Sequence, residues 1–248
     1  MKKYYIPFDI ETIPVSFNSL DESQQEYLIR GASTQEDIEK KKYEMALSPM
    51  TGQVITIGLK IIEQDTDYYN HTNYNVVSSG ALILDPDLND DDEPVKQNFG
   101  NDLYLYSTER NILQTFWEII NKYRNATLIS FNGRNFDAPY IQLRSALLQV
   151  KPSRNLMDGT KFNYPNHIDL LDELTFFSGS QYGATRRYNF DFYCRAFGLE
   201  SPKAKGVDGA NVHEYFAIKD YDTIATYCLR DVEATWNLYL RIKDYLFI

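Results

Sequence analysis

The first motif of the chain places two carboxylates on one face of a short apolar strand. Residues 4–12 are rich in aromatic and β-branched side chains, which predicts a strand. Because side chains alternate along a strand, Asp9 and Glu11 share one face while Phe8 and Ile10 share the other. Carboxylates that lose hydration repel each other, and Mg²⁺ or Mn²⁺ offsets this repulsion through oxygen ligands. An isolated Asp-x-Glu is nevertheless more often a strand end whose acids reach water.

A strand, a turn and a helix supply a third carboxylate. Residues 126–131 predict a buried strand, and residues 132–135 have the Asn and Gly content of a turn. A helix follows, with Asp137 predicted as its N-cap and Pro139 tolerated in its first turn. Capping alone would explain Asp137. Its place at a strand-to-helix switch, where α/β proteins commonly bind ligands, also favours a functional role.

The third motif lies on a long predicted helix. Residues 221–246 contain neither Gly nor Pro, and Tyr227 and Asp231 are spaced i, i+4, so both lie on one helical face. Bulky residues form a second stripe that we assign to packing: Val232, Trp236 and Tyr239. An ordinary Tyr–Asp contact on an amphipathic helix would explain this motif alone. Three such motifs in one order are much harder to obtain by chance.

Together the motifs resemble those of the DEDD superfamily of 3′–5′ exonucleases, in the subclass with tyrosine in the third motif. Within it, the chain is similar to stand-alone predicted exonucleases related to the proofreading domain of family B DNA polymerases. The histidine subclass would need His at the position of Thr226, so the tyrosine subclass matches better. The resemblance rests on three motifs and two further stretches: residues 8–12, 129–137 and 227–232, then 167–170, and 201–203 with 206–209.

The resemblance spans nearly the whole chain and is weakest at residues 15–48 and 63–101. It implies a ribonuclease H-like fold, which is an α/β fold with a central mixed β-sheet flanked by helices. In such a sheet the first strand is central, yet it contains Pro7, which cannot donate to a neighbouring strand. We therefore expect the strand to begin effectively near Phe8, or a bulge to redirect the residues after Pro7.

The resemblance also implies two divalent cations, Mg²⁺ or Mn²⁺, in a two-metal mechanism. Asp9 would bridge both cations, and Asp137 would support the second one. Glu11 and Asp231 would complete the site of the attacking water. Tyr227 would orient that water, because a phenol with an ordinary pKa of about 10 is a poor base at neutral pH.

The implied substrate is the 3′ end of a single-stranded nucleic acid, with DNA favoured, and the products are nucleoside 5′-monophosphates. Four residues are predicted to contact the strand: Thr12, Asn132, Arg186 and Arg187. The two arginines lie in residues 178–188, whose glycines and tyrosines suit phosphate and base-stacking contacts. A plain surface loop remains the alternative for that segment, and turn formation explains Asn132 equally well. His167 and Asp169 are predicted to end a strand near the site, in structural roles.

Two other classes of function compete with this interpretation. A non-catalytic nucleic-acid-binding module with the same fold would lack one of the carboxylates, and none is missing from the motifs. A ribonuclease H-like endonuclease could use similar acids, but it has no evident need for Tyr227. The motifs therefore favour an exonuclease, which is a phosphodiester hydrolase.

The charge distribution limits how this chain can contact nucleic acid. The net charge is −10, and residues 1–125 carry 21 acidic against 11 basic side chains, whereas residues 126–248 carry 14 of each. Much of the excess lies in residues 21–44, predicted as two exposed helices, and in residues 85–93, predicted as a solvated loop. Such acidity argues against broad coating of duplex but not against gripping a few terminal nucleotides.

The overall layout indicates one catalytic domain over residues 1–248, with a helical insertion at about 16–48 and an acidic loop at about 85–101. Besides the motif strands, we predict strands at 54–62, 75–84 and 103–106, with a short one around Ile168. Helices are predicted at 109–122, 190–197 and 221–246. Strands first and then mixed with helices indicate an α/β structure.

The sequence also bears on the cellular compartment and on protein partners. No window has the roughly 18 apolar residues of a membrane span, and the N-terminal residues lack the features of a signal peptide. Cys194 and Cys228 are too few for a disulfide framework, so we expect reduced buried thiols in a cytoplasmic protein. Cys228 is predicted to point away from Tyr227 and Asp231. The sequence identifies no protein partner.

Overall fold

The computed structural model describes residues 2–66, 72–201, 209 and 211–247. Within these residues, seven strands form one mixed sheet in the order β4-β5-β3-β2-β1-β6-β7. The strands are β1 (Lys3–Pro14), β2 (Gly52–Thr66), β3 (Thr72–Leu84), β4 (Val95–Phe99), β5 (Asp102–Ser107), β6 (Thr127–Ser130) and β7 (His167–Asp169). The helices are α1 (Glu22–Ile29), α2 (Gln35–Glu44), α3 (Glu109–Lys122), α4 (Asp137–Leu147), α5 (Leu170–Leu174), α6 (Phe190–Ala196), α7 (Val212–Ala217) and α8 (Tyr221–Leu246). The predicted α/β architecture with a central mixed sheet is confirmed.

Strand β1 is central, antiparallel to β2 and parallel to β6. The side chains of β1 alternate between the two faces of the sheet, as predicted. Phe8 packs against Phe116 of α3, whereas Tyr5, which has an odd residue number, packs against Trp236 of α8. Asp9 and Glu11 also have odd numbers, so they face the α8 side of the sheet. The sheet thereby separates an apolar face under α3 from a mixed face under α8.

Both expectations for Pro7 were wrong. Strand β1 begins at Lys3, and its register with β2 is the same at Tyr5 as at Phe8. The register shift falls later, between Glu11 and Thr12. The antiparallel pairing with β2 omits Ile6 and Pro7 and resumes at Phe8 in the same register, while Pro7 is paired with Ile129 of β6, so the missing donor of Pro7 is tolerated. The bulge therefore follows the carboxylate pair rather than preceding it.

The insertion after β1 is helical, as predicted. It contains α1 and α2 between two short 3₁₀ turns, and neither α-helix has a buried residue. Capping boxes explain where both helices begin, since Asp21 accepts a hydrogen bond from the Gln24 amide and Thr34 accepts one from the Asp37 amide. Local capping compensates here for the absence of a buried face.

The acidic loop was predicted too long. Residues 85–94 have no regular structure, but Val95–Phe99 form β4, which pairs with β5 at the edge of the sheet. All five residues of β4 are exposed, so this strand lacks the alternation by which the sequence would reveal it. The short helices α5 and α7 were also not predicted. The resemblance stretch at residues 202–208 lies outside the described residues.

A buried ion pair anchors α4, the helix that begins at Asp137. The guanidinium of Arg144 forms a two-point contact with Glu109 of α3, in which its Nε donates over 2.8 Å. The same Glu109 accepts from the Val54 amide of β2, and Arg144 also donates to the Pro49 carbonyl. These bonds satisfy both buried charges and tie α4 to α3 and β2.

Among the described helices, none is long and apolar enough to cross a membrane.

Candidate active site

Three elements bring the motif residues together on the α8 side of the sheet. Strand β1 contributes Asp9 and Glu11, the start of α4 contributes Asp137, and the middle of α8 contributes Tyr227 and Asp231. The carboxylates are close enough to raise one another's pKa, and three of them raise the pKa of the phenol. The predicted convergence of the three motifs is therefore present in the structure.

Asp137 is oriented by β1 rather than by its own helix. Its Oδ1 accepts a hydrogen bond from the Ile10 amide at 3.0 Å, between Asp9 and Glu11 in the chain. The predicted N-cap role was wrong, because Phe136 occupies the cap position and Asp137 is the first helical residue. The carboxylate reaches across to the strand because a tertiary donor is available there. This bond couples the second motif directly to the first.

A glycine in β2 lets α8 approach the sheet at the site. Gly58 lies opposite Asp9, and a Cβ on it would fall 2.8 Å from the Cys228 sulfur and 3.2 Å from a Val232 methyl group. Cys228 is fully buried there, with its Sγ 3.5 Å from the Asp9 carbonyl oxygen and 3.7 Å from Asp9 Oδ2. The small residue in β2 thus permits close packing of the third motif.

The predicted direction of Cys228 was therefore wrong. At 3.6 residues per turn, position 228 lies only about 60° around the helix from Asp231. The 3.7 Å between Cys228 Sγ and Asp9 Oδ2 places the thiol in the carboxylate cluster. One possible ligand atom from each of Asp9, Glu11 and Cys228 lies within 4.8 Å of the others.

The turn of the second motif is held by Asp169 at the end of β7. This carboxylate accepts hydrogen bonds from the Asn132, Arg134 and Leu171 amides at 2.8, 2.8 and 3.0 Å. Nearby, His167 and Ser130 form a side-chain hydrogen bond of 2.8 Å. The structural roles predicted for His167 and Asp169 are confirmed. They set the position from which α4 begins.

Burial and crowding raise the pKa values of Asp9, Glu11 and Asp137, which favours the protonated forms of these carboxylates. The pKa of Glu11 is raised well above its usual value, first by desolvation and then by Asp231 and Asp137. Asp9 is partly exposed, yet desolvation and its acidic neighbours also raise its pKa well above the usual range. Desolvation raises the pKa of Asp137 to about 7, although its backbone hydrogen bonds favour the charged form. Full ionisation of the cluster is unfavourable by itself.

The phenol and the thiol in the cluster are also held in their protonated forms. Desolvation, followed by the charges of Asp231, Glu11 and Asp9, raises the pKa of Tyr227. Desolvation and the charge of Asp9 likewise raise the pKa of Cys228 well above that of a free thiol. Tyr227 is therefore suited to hydrogen bonding and not to proton abstraction.

The predicted substrate-contacting residues occupy different settings. The Thr12 hydroxyl donates to the Ala46 carbonyl at 2.9 Å, so it already has a partner in the insertion. Asn132 has a left-handed backbone (φ 64°), is partly exposed, and donates its backbone amide to Asp169. Arg186 and Arg187 are exposed, and Arg187 lies 3.7 Å from Asp172. The substrate roles of all four stay predictions.

The donor set fits hard divalent cations. Its members are carboxylates from two strand positions and two helices, and oxygen ligands of this kind are those that Mg²⁺ and Mn²⁺ prefer. Within the described part of the chain, Asp9, Glu11 and Asp137 form no salt bridge with a basic side chain. Positive charge from bound cations would relieve the repulsion that raises their pKa values.

Sequence comparison assigns the family. Residues 66–246 match the family of predicted 3′–5′ exonucleases related to the exonuclease domain of PolB. The chain belongs to this family. The match includes Asp137, Tyr227 and Asp231, whereas Asp9 and Glu11 precede it. The first motif is therefore supported by its geometry and not by the matched range.

Curated relatives of this PolB-exonuclease-like chain are archaeal polymerases. It is 30% identical over 145 residues to DNA polymerase 1 of Sulfolobus acidocaldarius, covering 56% of the chain and 16% of the polymerase. It is 29% identical over 173 residues to DNA polymerase 1 of Saccharolobus solfataricus, covering 67% of the chain and 17% of the polymerase. The chain thus spans a small part of the length of these relatives.

A solved structure supports the fold. The family B DNA polymerase from the hyperthermophilic archaeon Pyrobaculum calidifontis aligns with a TM-score of 0.53 and 16% identity. The alignment covers 97% of this chain and 24% of the polymerase. Together with the mixed seven-stranded sheet, this likeness shows that the exonuclease-like chain has a ribonuclease H-like fold.

The shifted pKa values predict how pH affects the metal-free protein. Asp137 titrates at about 7 when folded and near its ordinary 3.8 when unfolded, so the native state retains a proton that the unfolded state has lost. The stability that this proton confers is fully present below about pH 3.8 and is lost as pH rises from there to about 7, and the raised pKa values of Asp9 and Glu11 act in the same direction. In EDTA, we therefore expect Asp137 to lower the melting temperature progressively between about pH 4 and pH 7, and Mg²⁺ or Mn²⁺ to offset this loss.

Over the same range His167 contributes with the opposite sign, because burial lowers its pKa from 6.5 to about 3. Asp137→Asn provides the matched comparison, because it removes one titrating group and leaves the His167 contribution in place. The melting temperature of the wild type relative to this variant should therefore fall between about pH 4 and pH 7. A difference that is constant or increases over this range in EDTA would contradict the predicted repulsion.

Proposed function

We propose that this chain is a metal-dependent 3′–5′ exonuclease of the tyrosine subclass, acting on single-stranded nucleic acid with DNA favoured. The observation that carries the proposal is the convergence of four carboxylates and one phenol from β1, α4 and α8. The family supports nuclease chemistry, and the site supplies ligands for cations. The products would be nucleoside 5′-monophosphates.

The carboxylates would hold two divalent cations, Mg²⁺ or Mn²⁺. Asp9 would bridge the pair, Glu11 and Asp231 would complete one position, and Asp137 would support the other. When bound, the cations supply charge that activates the attacking water and stabilises the leaving oxygen. The Ile10 amide keeps Asp137 turned toward β1, so both positions share the strand that carries Asp9.

Tyr227 would orient the attacking water through its hydroxyl group. The raised pKa keeps the phenol protonated, so it can donate or accept a hydrogen bond without acting as the base. Its position i, i+4 from Asp231 on a buried helical face fixes its direction. An endonuclease has no evident need for such a phenol, so Tyr227 favours the exonuclease over that alternative.

A partly exposed pair of aromatic rings, Tyr188 and Phe192, lies at the end of a series of ring contacts that starts in the second motif. Phe131, which precedes the turn, contacts Tyr193 with ring centroids 5.8 Å apart, and Tyr193 contacts Tyr188 at 5.9 Å. Tyr188 stacks on Phe192 at 4.1 Å, and the Arg186 guanidinium lies 5.0 Å from the Tyr188 ring.

We propose that the Tyr188–Phe192 pair stacks on a base of the strand while Arg186 approaches a phosphate. Arg187 and Asn132 would add contacts nearer the turn.

Substrates with blocked ends test the direction of hydrolysis. With Mg²⁺ or Mn²⁺, a terminal 3′-phosphate should slow degradation of single-stranded DNA strongly, because the strand enters by that end. A block at the 5′ end should have little effect, and a labelled strand should give a descending ladder. Matched DNA and RNA strands would establish which nucleic acid is preferred.

Two variants show whether the activity belongs to this site. Asp9→Ala should abolish hydrolysis while the fold is retained, whereas Asp90→Ala in the exposed acidic loop should be as active as the wild type. Efficient cutting of a covalently closed single-stranded circle would favour the endonuclease. Full activity of Asp9→Ala would rule out the proposed cation site.

Tyr227→Phe separates water orientation from cation binding. The variant keeps the ring and its packing but removes the hydroxyl, so turnover should fall about 10²-fold while Mn²⁺ affinity stays near wild type. Asp231→Ala should lose both. Tyr221→Phe is the matched control, since this buried tyrosine lies on the same helix outside the carboxylate cluster. Wild-type turnover of Tyr227→Phe, measured alongside Mn²⁺ binding, would refute the orienting role.

Phe192→Ala tests the stacking pair. Half of the Phe192 surface is exposed, so its removal should leave the core intact. Loss of one stacked base costs about 1–3 kcal/mol, and we expect Kd for an oligonucleotide to rise about tenfold or more. Tyr245→Ala, which removes another exposed ring far along α8, should leave Kd unchanged. Equal affinities of the two variants would place the strand elsewhere.

A further inference from the structure

The buried thiol of Cys228 has no role in a site built only of oxygen ligands. Its Sγ lies 3.7 Å from Asp9 Oδ2, and donor atoms of Asp9, Glu11 and Cys228 all lie within 4.8 Å of one another. We propose that these three side chains form a mixed carboxylate–thiolate site for a thiophilic divalent cation, of which Zn²⁺ is the common biological example, and that its occupancy inhibits hydrolysis.

The spacing of sulfur and oxygen matches a tetrahedral site. Zinc binds Cys sulfur at about 2.3 Å and carboxylate oxygen at about 2.0–2.2 Å, which at a tetrahedral angle separates the two atoms by about 3.6 Å. The 3.7 Å between Cys228 Sγ and Asp9 Oδ2 agrees with this value. Mg²⁺ would not use the sulfur, because it selects oxygen ligands in octahedral geometry. The thiol therefore distinguishes soft cations from hard ones.

Glu11 is an independent indication that this cluster accepts a ligand. The residue is 8% exposed, and no described residue forms a side-chain hydrogen bond or a salt bridge with its carboxylate. A carboxylate so buried ordinarily has a partner, since desolvation without one is costly. Glu11 can thus serve as the third ligand without breaking an existing contact. A water molecule or a further carboxylate of the cluster could complete the coordination.

Binding in this mode exchanges a proton for the cation. The Cys228 thiol releases its proton to solvent as the sulfur–metal bond forms, and no oxidant or reductant is required. Asp9 and Glu11 are also ligands in the proposed hydrolytic site, so the thiophilic cation would exclude the activating cations. The inhibitory effect rests on the proposed function, whereas the binding itself does not.

Cadmium binding to the protein without nucleic acid tests the site directly. Cd²⁺ is thiophilic, and a sulfur–cadmium bond produces a charge-transfer band in the ultraviolet. We expect the wild type to show this band at one equivalent of Cd²⁺, and calorimetry to give the corresponding Kd. Cys228→Ser should lose the band and bind Cd²⁺ at least tenfold more weakly. Cys194→Ser should behave as the wild type, because this other buried free cysteine lies outside the three-residue group.

A second variant keeps the test decisive if the serine at position 228 impairs folding. Glu11→Gln retains the thiol and should keep the band while weakening Cd²⁺ binding. A band that persists in Cys228→Ser, or Cd²⁺ bound by the wild type without a band, would overturn the proposal. Equal Cd²⁺ affinity of Glu11→Gln and the wild type would also overturn it as a three-ligand site.

Hydrolysis assays separate this inference from the proposed function. In the presence of Mg²⁺, Zn²⁺ should inhibit the wild type and Cys194→Ser at lower concentration than Cys228→Ser, by about tenfold. A wild type that shows the band but never hydrolyses nucleic acid would refute the proposed function and leave the cation site standing. Hydrolysis by a wild type that shows no band would refute only the thiolate site.

Discussion

Repulsion among buried carboxylates is the interaction on which this structure depends. Asp9 and Glu11 come from β1 and Asp137 from α4, and each has its pKa raised by desolvation and by its acidic neighbours. The fold holds them together through contacts outside the cluster, namely the Ile10 amide on Asp137 and the Arg144–Glu109 pair under α4. Repulsion among the carboxylates destabilises the metal-free protein, and its relief increases the affinity of the site for a divalent cation.

Close packing of α8 on the sheet places a sulfur atom next to the carboxylates. Gly58 leaves room for the helix, and the same approach brings Cys228 against Asp9. Cys228 packs tightly over Gly58, and the same packing places its soft sulfur ligand beside the hard oxygen ligands of the carboxylates. The contact between α8 and Gly58 therefore affects both the packing of the third motif and the preference of the proposed site among cations. Any substitution at Gly58 would alter both.

Much of the architecture follows from local sequence patterns. The bounds of α3 and α8 agree with those predicted, because a helical stripe of apolar residues and the absence of Gly and Pro are local signals. Strand β4 was missed because all five of its residues are exposed and its pairing with β5 is its main stabilisation. The position of Asp137 was mistaken for a cap because its actual donor, the Ile10 amide, lies 127 residues away in the chain.

The sequence by itself determined the α/β class, the face shared by Asp9 and Glu11, and the helical spacing of Tyr227 and Asp231, since each depends on a backbone period of 2 or 3.6 residues. Tertiary structure decided which of these faces meet. It turned Asp137 toward β1, brought Cys228 into the cluster, and joined Phe131 to the partly exposed rings of residues 188 and 192. Those contacts depend on how closely α8 and α4 approach the sheet, and no local period encodes that distance.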